Sequence, residues 1–383
     1  MTRHLCLLGD ANSVHLRRWA QEMISRGWRV SVVTARPQPI DGVEQRVLPP
    51  VQRQTDWLWR AGAARRHLRD LAPDIVHAHY VTSYGYLAAR CDRHPLVMTA
   101  WGSDLLVTPH RHALLRWLTG WTLRRADLVT GDSLGLVEAI DAYGPRRGAV
   151  RIHWGADTAR FHPVPWDDKP GFGIASLRAW DDNYRIDLIV AALGRLLQAA
   201  PDAPVHLHLL GGGPNEAALR AQVRTLGLQD QVSFHGRVGD AEMQDVLARC
   251  KVSVSVPLSD ATSVAMLESM ACGLPVLASD LPANREWLGD NDGLWVPAAG
   301  SDEAATAALA AALQALWQDD AHAQRLGERN LARIRQDGRR DAQMDAMSAL
   351  YDELLAGAGA DGGAGGGAGD RAGGRAGAGG QGR

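Results

Sequence analysis

The sequence predicts an α/β protein of two doubly wound, mostly parallel sheets, one in each half of the chain, ending in a glycine-rich tail. Three observations carry this prediction. Short apolar runs alternate with helical periodicity from the first residues onward, as in βαβ units. The alternation stops at a proline-rich segment, Phe161–Pro170, and then begins again. After Leu355 the apolar bulk gives out, and residues 357–383 hold 14 glycines in 27 positions. At 383 residues the chain is long enough for two separate cores.

The elements follow in order. His4–Gly9 is an apolar run ending in glycine, read as a buried strand. A helix runs from Leu16 to Arg26, stops at Gly27, and leads into the strand Arg29–Thr34. Gly9–Ser13 is therefore a loop at the carboxyl end of a parallel strand, where open α/β sheets bind ligands. It lacks GxGxxG spacing, which argues against a dinucleotide. Asp56–Leu71 reads as a basic helix, Asp74–His77 as a strand, and Ser83–Cys91 as a helix. The strand Leu96–Ala100 ends in Trp101-Gly102-Ser103-Asp104. His110–Arg125 is helical, Asp127–Thr130 a strand, Leu134–Tyr143 a helix and Val150–His153 the last strand of this half.

Beyond the linker the pattern restarts. Strands are expected at Gly171–Leu177, Val205–Leu210, Val232–His235, Val252–Val256, Val276–Ala278 and Leu294–Val296. Helices are expected at Asp187–Ala200, Asn215–Leu226, Asp240–Arg249, from Val264, and over Ala304–Gln318, Ala321–Gln336 and Ala342–Leu355. These set the expected domains: 1–163, 164–341, a helix 342–356 packing back on the first domain, and a disordered tail 357–383 too poor in apolar surface to offset ordering entropy.

Charge is uneven. Residues 1–163 carry 22 Lys and Arg against 14 Asp and Glu, and the remainder 19 against 29. A basic first half suits an anionic partner. Cys6, Cys91, Cys250 and Cys272 have no metal or redox spacing and read as reduced core residues. Met1–Asp10 lacks a signal-peptide core, and no apolar run reaches the ~18 residues that span a bilayer. A cytoplasmic protein is expected.

One stretch concentrates the chemistry. In Ser259–Trp287 small polar residues lead into an apolar helix carrying a lone acid, Glu268. Gly273-Leu274-Pro275 breaks that helix, and a strand follows. A carboxylate inside a buried helix is costly without a polar partner, and ribose or sugar hydroxyls would serve. The turn Ala261-Thr262-Ser263 before Val264 offers small residues and a helix N-terminus, which suits phosphate.

Asp260 and Glu268, eight apart and followed by SMACGLPVLASD, resemble the paired acids of the family-4, retaining, nucleotide-sugar-dependent glycosyltransferases of GT-B fold. RIHWGADTARFHP (Arg151–Pro163), LHLLGGGPNEAAL and VSFHGRV occur in that family's order, and the resemblance covers roughly residues 1–355. It implies two Rossmann-like domains facing a central cleft, with the donor held mainly by the second. It implies that Glu268 binds the donor ribose. Asp260, about 1.5 Å shorter than the family's usual glutamate, would face the donor sugar. Arg178 would neutralise the departing diphosphate. The lysine that usually follows is missing, and Arg185 or Tyr184 stands in its region. Gly9-Asp10 matches the first-domain loop, and Gly102, Ser103 and Asp104 would touch the donor sugar. Gly211, Gly213, Arg237 and Val238 would line the nucleotide pocket, and Ala261, Thr262, Ser263 and Val264 the phosphate turn. Trp101 stands where many members carry a histidine, so no catalytic histidine carries over.

The resemblance implies no metal on the diphosphate and no other cofactor. Strand alternation is taken to separate the imidazoles of His77 and His79, and no paired acids stand in a cleft loop. The expected partners are a nucleoside-diphosphate sugar and a glycan, lipid-linked or small-molecule acceptor. Two Trp- and Arg-rich helices, 56–71 and 110–125, suit an anionic membrane surface. The bland alternative packs the stripe Leu114, Trp117, Leu118 and Trp121 against the sheet. No nucleic-acid signature is present. The implied activity is transfer of a hexose-type sugar in cell-envelope polysaccharide or glycolipid synthesis. The alternative is a catalytically impaired relative that binds a nucleotide or glycan.

Overall fold

The computed structural model describes residues 2–53 and 55–363, with side chains as far as Gly357. The first sheet contains β1 (His4–Leu8), β2 (Arg29–Thr34), β3 (Glu44–Val47), β4 (Ile75–His79), β5 (Leu96–Thr99), β6 (Leu128–Gly131) and β7 (Val150–Arg151). Their order is β3-β2-β1-β4-β5-β6-β7, all parallel. Helices α1 (Val14–Ser25), α2 (Asp56–Leu71), α3 (Tyr86–Cys91), α4 (Ser103–Leu106), α5 (Ala113–Leu123) and α6 (Leu134–Asp141) cover its faces. Pleating explains the two cores. On β1, Cys6 and Leu8 enter one cluster while Leu5 and Leu7 enter the other.

The second sheet contains β8 (Phe172–Ser176), β9 (Val205–Leu210), β10 (Val232–Gly236), β11 (Cys250–Ser255), β12 (Val276–Ser279) and β13 (Trp295–Val296). Their order is β10-β9-β8-β11-β12-β13, again parallel. Around them lie α7 (Ile186–Ala199), α8 (Glu216–Thr225), α9 (Asp240–Leu247), α10 (Val264–Ala271), α11 (Pro282–Leu288), α12 (Asp302–Gln318) and α13 (Asp320–Asp337). All four cysteines are buried and free.

The chain then returns. Helix α14 (Arg340–Gly363) lays Met344, Met347, Tyr351 and Leu354 into a core of the first domain. The Tyr351 hydroxyl accepts from Trp19 Nε1 at 3.1 Å and lies 2.5 Å from His77 Nδ1. The same helix continues through 357–363, where the sequence predicts tail. Once a packed segment has nucleated a helix, adding a further turn is far easier than starting one, so the helix runs on although 357–363 holds four glycines. The rest of the expected tail, 364–383, lies outside the described residues.

Three further differences from the sequence prediction matter for the site. The short edge strand β3 is mostly exposed, so it carries no apolar signal. On α5 the buried residues are Thr119, Gly120, Thr122 and Leu123, which rotates the helix relative to the expected stripe. Leu118 and Trp121 pack on the core, but Leu114 and Trp117 stand 62% and 59% exposed. On β4, His77 and His79 are two residues apart and therefore share a face, with ring centroids 4.4 Å apart. The expected separation of these imidazoles is wrong.

Candidate active site

The carboxyl ends of the two sheets face a cleft of about 1490 Å³ lined by both domains. The second domain supplies its charged wall. Helix α10 begins after the loop Asp260–Ser263, and the Ser263 hydroxyl caps it by accepting from Met266 N at 3.3 Å. The first amides of a helix have no intrahelical acceptor, so this end is electropositive. Arg178, in the loop after β8, meets the same turn. Its Nη2 donates to Asp260 Oδ2 at 2.6 Å and its Nη1 to Ser263 Oγ. Its guanidinium lies 4.3 Å from the centre of the Tyr184 ring. Burial pushes the Asp260 carboxyl above the usual range, and Arg178 pulls it back.

Two turns along α10, Glu268 opens onto the cleft yet is only 3% exposed. Arg18 Nη1 on α1 donates to its Oε1 at 3.3 Å, and Arg340 Nη2 lies 3.9 Å from the same atom. Burial pushes its carboxyl up to about 7, against the pull of these two arginines. Arg18 also bonds Asp240 Oδ1 at 2.8 Å.

The first domain supplies an aromatic floor. Asp10, His15, His79, Trp101 and Trp154 line the cleft there, with Ser103 at the start of α4. The Trp101 ring stacks on His79 at 5.6 Å and lies 5.1 Å from His15. Both His79 nitrogens and His15 Nδ1 are buried without a partner. Burial holds both imidazoles neutral, lowering His79 to about 3 and His15 to about 4. Asp132, at the end of β6, also faces the cleft, and its backbone carbonyl accepts from Thr262 Oγ1 at 2.7 Å. Its Oδ1 is buried without a partner, and burial, then the Asp260 charge, push its carboxyl up to about 8. Gly102 closes the approach: a Cβ there would stand 3.0 Å from that of Ala261.

The sequence-derived residues thus separate into two groups. Asp10, Ser103, Arg178, Asp260, Ala261, Thr262, Ser263, Val264 and Glu268 line the cleft. The others sit elsewhere. Arg185 is turned into the second domain, where its Nε donates to Val256 O at 2.7 Å and its Nη2 to Ser279 Oγ and Pro297 O at 3.2 Å. It sits at φ +48°, after a tight turn, and ties together the ends of β11, β12 and β13. The expectation that it reaches phosphate is corrected on that ground. Asp104 is fully buried and accepts from Val81 N at 2.8 Å and Trp101 N at 3.0 Å, so it shapes its loop and faces no ligand. A Cβ on Gly211 would strike Arg178 O at 2.2 Å, and one on Gly213 would strike Trp180 O at 2.3 Å. These glycines let the loops touch and so position Arg178. Gly9 is likewise a close-packing position, against Leu16. Arg237 is exposed, and Val238 packs under the sheet beside α10.

Sequence reasoning passed over Arg18, His15, Asp132 and Arg340, and weighed His79 only as half of a metal pair. One signal was available: His15 and Arg18 are three apart on α1, so they share the face nearest the Gly9–Ser13 loop.

Residues 4–133 match the Glycosyl transferase 4-like family, and residues 172–319 match the Glycosyl transferases group 1 family. A phosphatidyl-myo-inositol mannosyltransferase of Mycolicibacterium smegmatis is 32% identical over 178 residues, 45% of this chain and 44% of that protein. An N-acetyl-alpha-D-glucosaminyl L-malate synthase of Bacillus anthracis is 22% identical over 299 residues, 74% of this chain and 75% of that protein. The chain spans less than half the length of the mannosyltransferase it matches. Among solved structures, sucrose-phosphate synthase from Thermosynechococcus elongatus superposes with a TM-score of 0.76 at 19% identity, over 93% of this chain and 100% of that one. Anabaena HepE in complex with UDP-glucose gives 0.72 at 16% identity, over 92% and 100%.

Proposed function

This chain belongs to the group 1, family-4 type glycosyltransferases of GT-B fold, and from that premise we propose that it is a retaining enzyme moving a hexose-type sugar from a nucleoside diphosphate to a glycan, lipid-linked or small-molecule acceptor. The observation that carries the reading is the meeting, in one cleft, of the α10 N-terminus, Arg178, Asp260 and Glu268. A diphosphate would lie at the Ala261–Ser263 turn beside Arg178. Its ribose would reach Glu268, and its sugar would face Asp260 and the first-domain floor. The leaving phosphate oxygen takes the acceptor hydroxyl's proton as the sugar–phosphate bond breaks and the new glycosidic bond forms on the same face. Charge on the phosphate is neutralised by arginine and the helix end, so the reading assigns no metal. The aromatic floor, with neutral imidazoles, suits a ring bearing hydroxyls rather than charges.

The test is release of nucleoside diphosphate from a panel of sugar nucleotides and acceptors, with the anomeric configuration of donor and product compared. Turnover with retention is expected. Nucleotide binding without turnover would favour a binding protein, and inversion would remove the same-face step.

The proposal places the acceptor at an anionic membrane surface on the cytoplasmic side, in cell-envelope synthesis. Its support is exposed apolar surface on two helices: Leu58 and Trp59 on α2 stand 45% and 77% exposed, and Leu114 and Trp117 on α5 62% and 59%, with Leu58, Leu114 and Trp117 lining the cleft. Arg53 and Arg111 share that edge of the cleft. Among the described residues no helix is long and apolar enough to cross a membrane. Replacing Trp59 and Trp117 together by serine is expected to weaken binding to phosphatidylcholine–phosphatidylglycerol vesicles about tenfold. Equal binding by the variant in a flotation assay would remove the membrane from the reading.

A further inference from the structure

We infer that Arg18, a first-domain residue, is the second cation on the donor diphosphate, and that it is released to that role when the ribose takes its place on Glu268. The inference rests on the nucleotide-sugar reading above. Arg178 alone is a poor clamp, because Asp260 already balances its charge at 2.6 Å. Arg185 is committed to Val256, Ser279 and Pro297. Arg18 opens onto the cleft and holds Glu268 through one nitrogen and Asp240 through another.

Three features make the exchange physically reasonable. Glu268 has two cationic neighbours of different freedom. Arg340 is 5% exposed, and its backbone is pinned by Arg340 N donating to Ala156 O at 2.9 Å. Its Nη1 is held by Asp157 at 3.3 Å. Arg18 is the more open of the two, with its side chain 19% exposed. Ribose hydroxyls that donate to Glu268 can therefore displace Arg18 while Arg340 still neutralises the carboxylate. Second, the phosphate turn is close. Arg18, Ser263 and Glu268 line the same cleft, and Ser263 and Glu268 are five residues apart along α10, about 7.5 Å of helix rise. Third, His15 marks where the charges meet: Arg18, Arg178 and Arg340 all act on its imidazole, and its Nδ1 is buried there without a partner. Three guanidinium groups therefore converge on one neutral ring in this cleft, each paired with a carboxylate, and of the three Arg18 has the most exposed side chain.

The exchange also couples the domains. Arg18 comes from α1 and Arg178 from the second domain, so a diphosphate bound by both would tie the cleft walls together. In the structure Arg18 already bridges the walls through Glu268 and Asp240, beside other cross-domain contacts such as Thr262 Oγ1 to Asp132 O.

The test is calorimetric titration of the full chain with UDP, GDP and ADP and with the matching nucleosides, for wild type, Arg18→Gln and Arg18→Lys. For the diphosphate that wild type binds best, Arg18→Gln is expected to lose roughly 10- to 100-fold in affinity. Arg18→Lys should recover part of it. The nucleoside, which has no phosphate, should bind the Gln variant as well as wild type or better, because Glu268 is freed. If Arg18 is only a latch, Arg18→Gln will bind the diphosphate equally or more tightly, and the inference fails while the donor reading stands. A wild-type chain that binds none of the three diphosphates removes that reading and this inference with it.

Discussion

Arg178→Gln is expected to lower turnover about 10²- to 10³-fold, the range for losing one preorganised donor to a developing anion. In the proposed reaction the leaving diphosphate gains charge as the sugar departs, and Arg178 is fixed beside the turn where it would lie. Its geometry is over-determined. Asp260 and Ser263 hold the two terminal nitrogens, Tyr184 lies under the guanidinium, and Gly211 and Gly213 let the neighbouring loop approach its backbone. Little reorganisation is then needed during the reaction, which is why removal should appear mainly in kcat. The variant leaves the buried Asp260 without its partner, so some loss of stability is expected as well. The double variant Arg178→Gln, Asp260→Asn separates the effects. It should regain thermal stability without regaining turnover. Turnover within threefold of wild type in Arg178→Gln would move the diphosphate away from this turn.

Glu268→Gln is the second large expected effect: on the proposed donor reading, KM should rise about 10- to 100-fold, because a charged acceptor for two ribose hydroxyls would become a neutral one. Stability should move the other way. The carboxyl titrates at about 7 in the folded chain against 4.5 ordinarily. Between those values the folded state holds an extra proton, so stability falls as pH rises through that window. Well above pH 7 the ionised carboxylate costs on the order of 3 to 4 kcal/mol, which the glutamine variant escapes. Glu268→Gln should therefore match wild type near pH 4.5 and melt no lower than wild type at pH 8, while binding donor worse. Wild-type donor affinity should also fall as pH drops through 7, and the variant's should not. A melting temperature well below wild type at pH 8 would mean that pairing with Arg18 and Arg340 outweighs desolvation. An unchanged donor KM would place the ribose elsewhere.

A buried acid kept at a cost in stability is what a binding site looks like in energetic terms. The carboxylate is legible in the sequence because it interrupts an apolar helix. Its partners are not, since Arg18 is 250 residues away and Arg340 a further 72. Arg185 shows the converse. Its position after β8 suggested a phosphate ligand, but a left-handed backbone turned the side chain toward three oxygens inside the domain. Nothing local distinguishes those outcomes, because both satisfy the guanidinium.

The sequence by itself determined the two parallel α/β halves and the loop–helix–strand unit around Glu268. These depend on periodicity and on backbone punctuation by glycine and proline, which act over a few residues. Tertiary structure decided which side chains do the packing: α14, expected to return to the first domain, docks there through Tyr351, and Leu114 and Trp117 face outward. It also decided which arginine faces the cleft. A charge is placed by the sum of its long-range partners and its desolvation, and those are fixed only when distant segments meet.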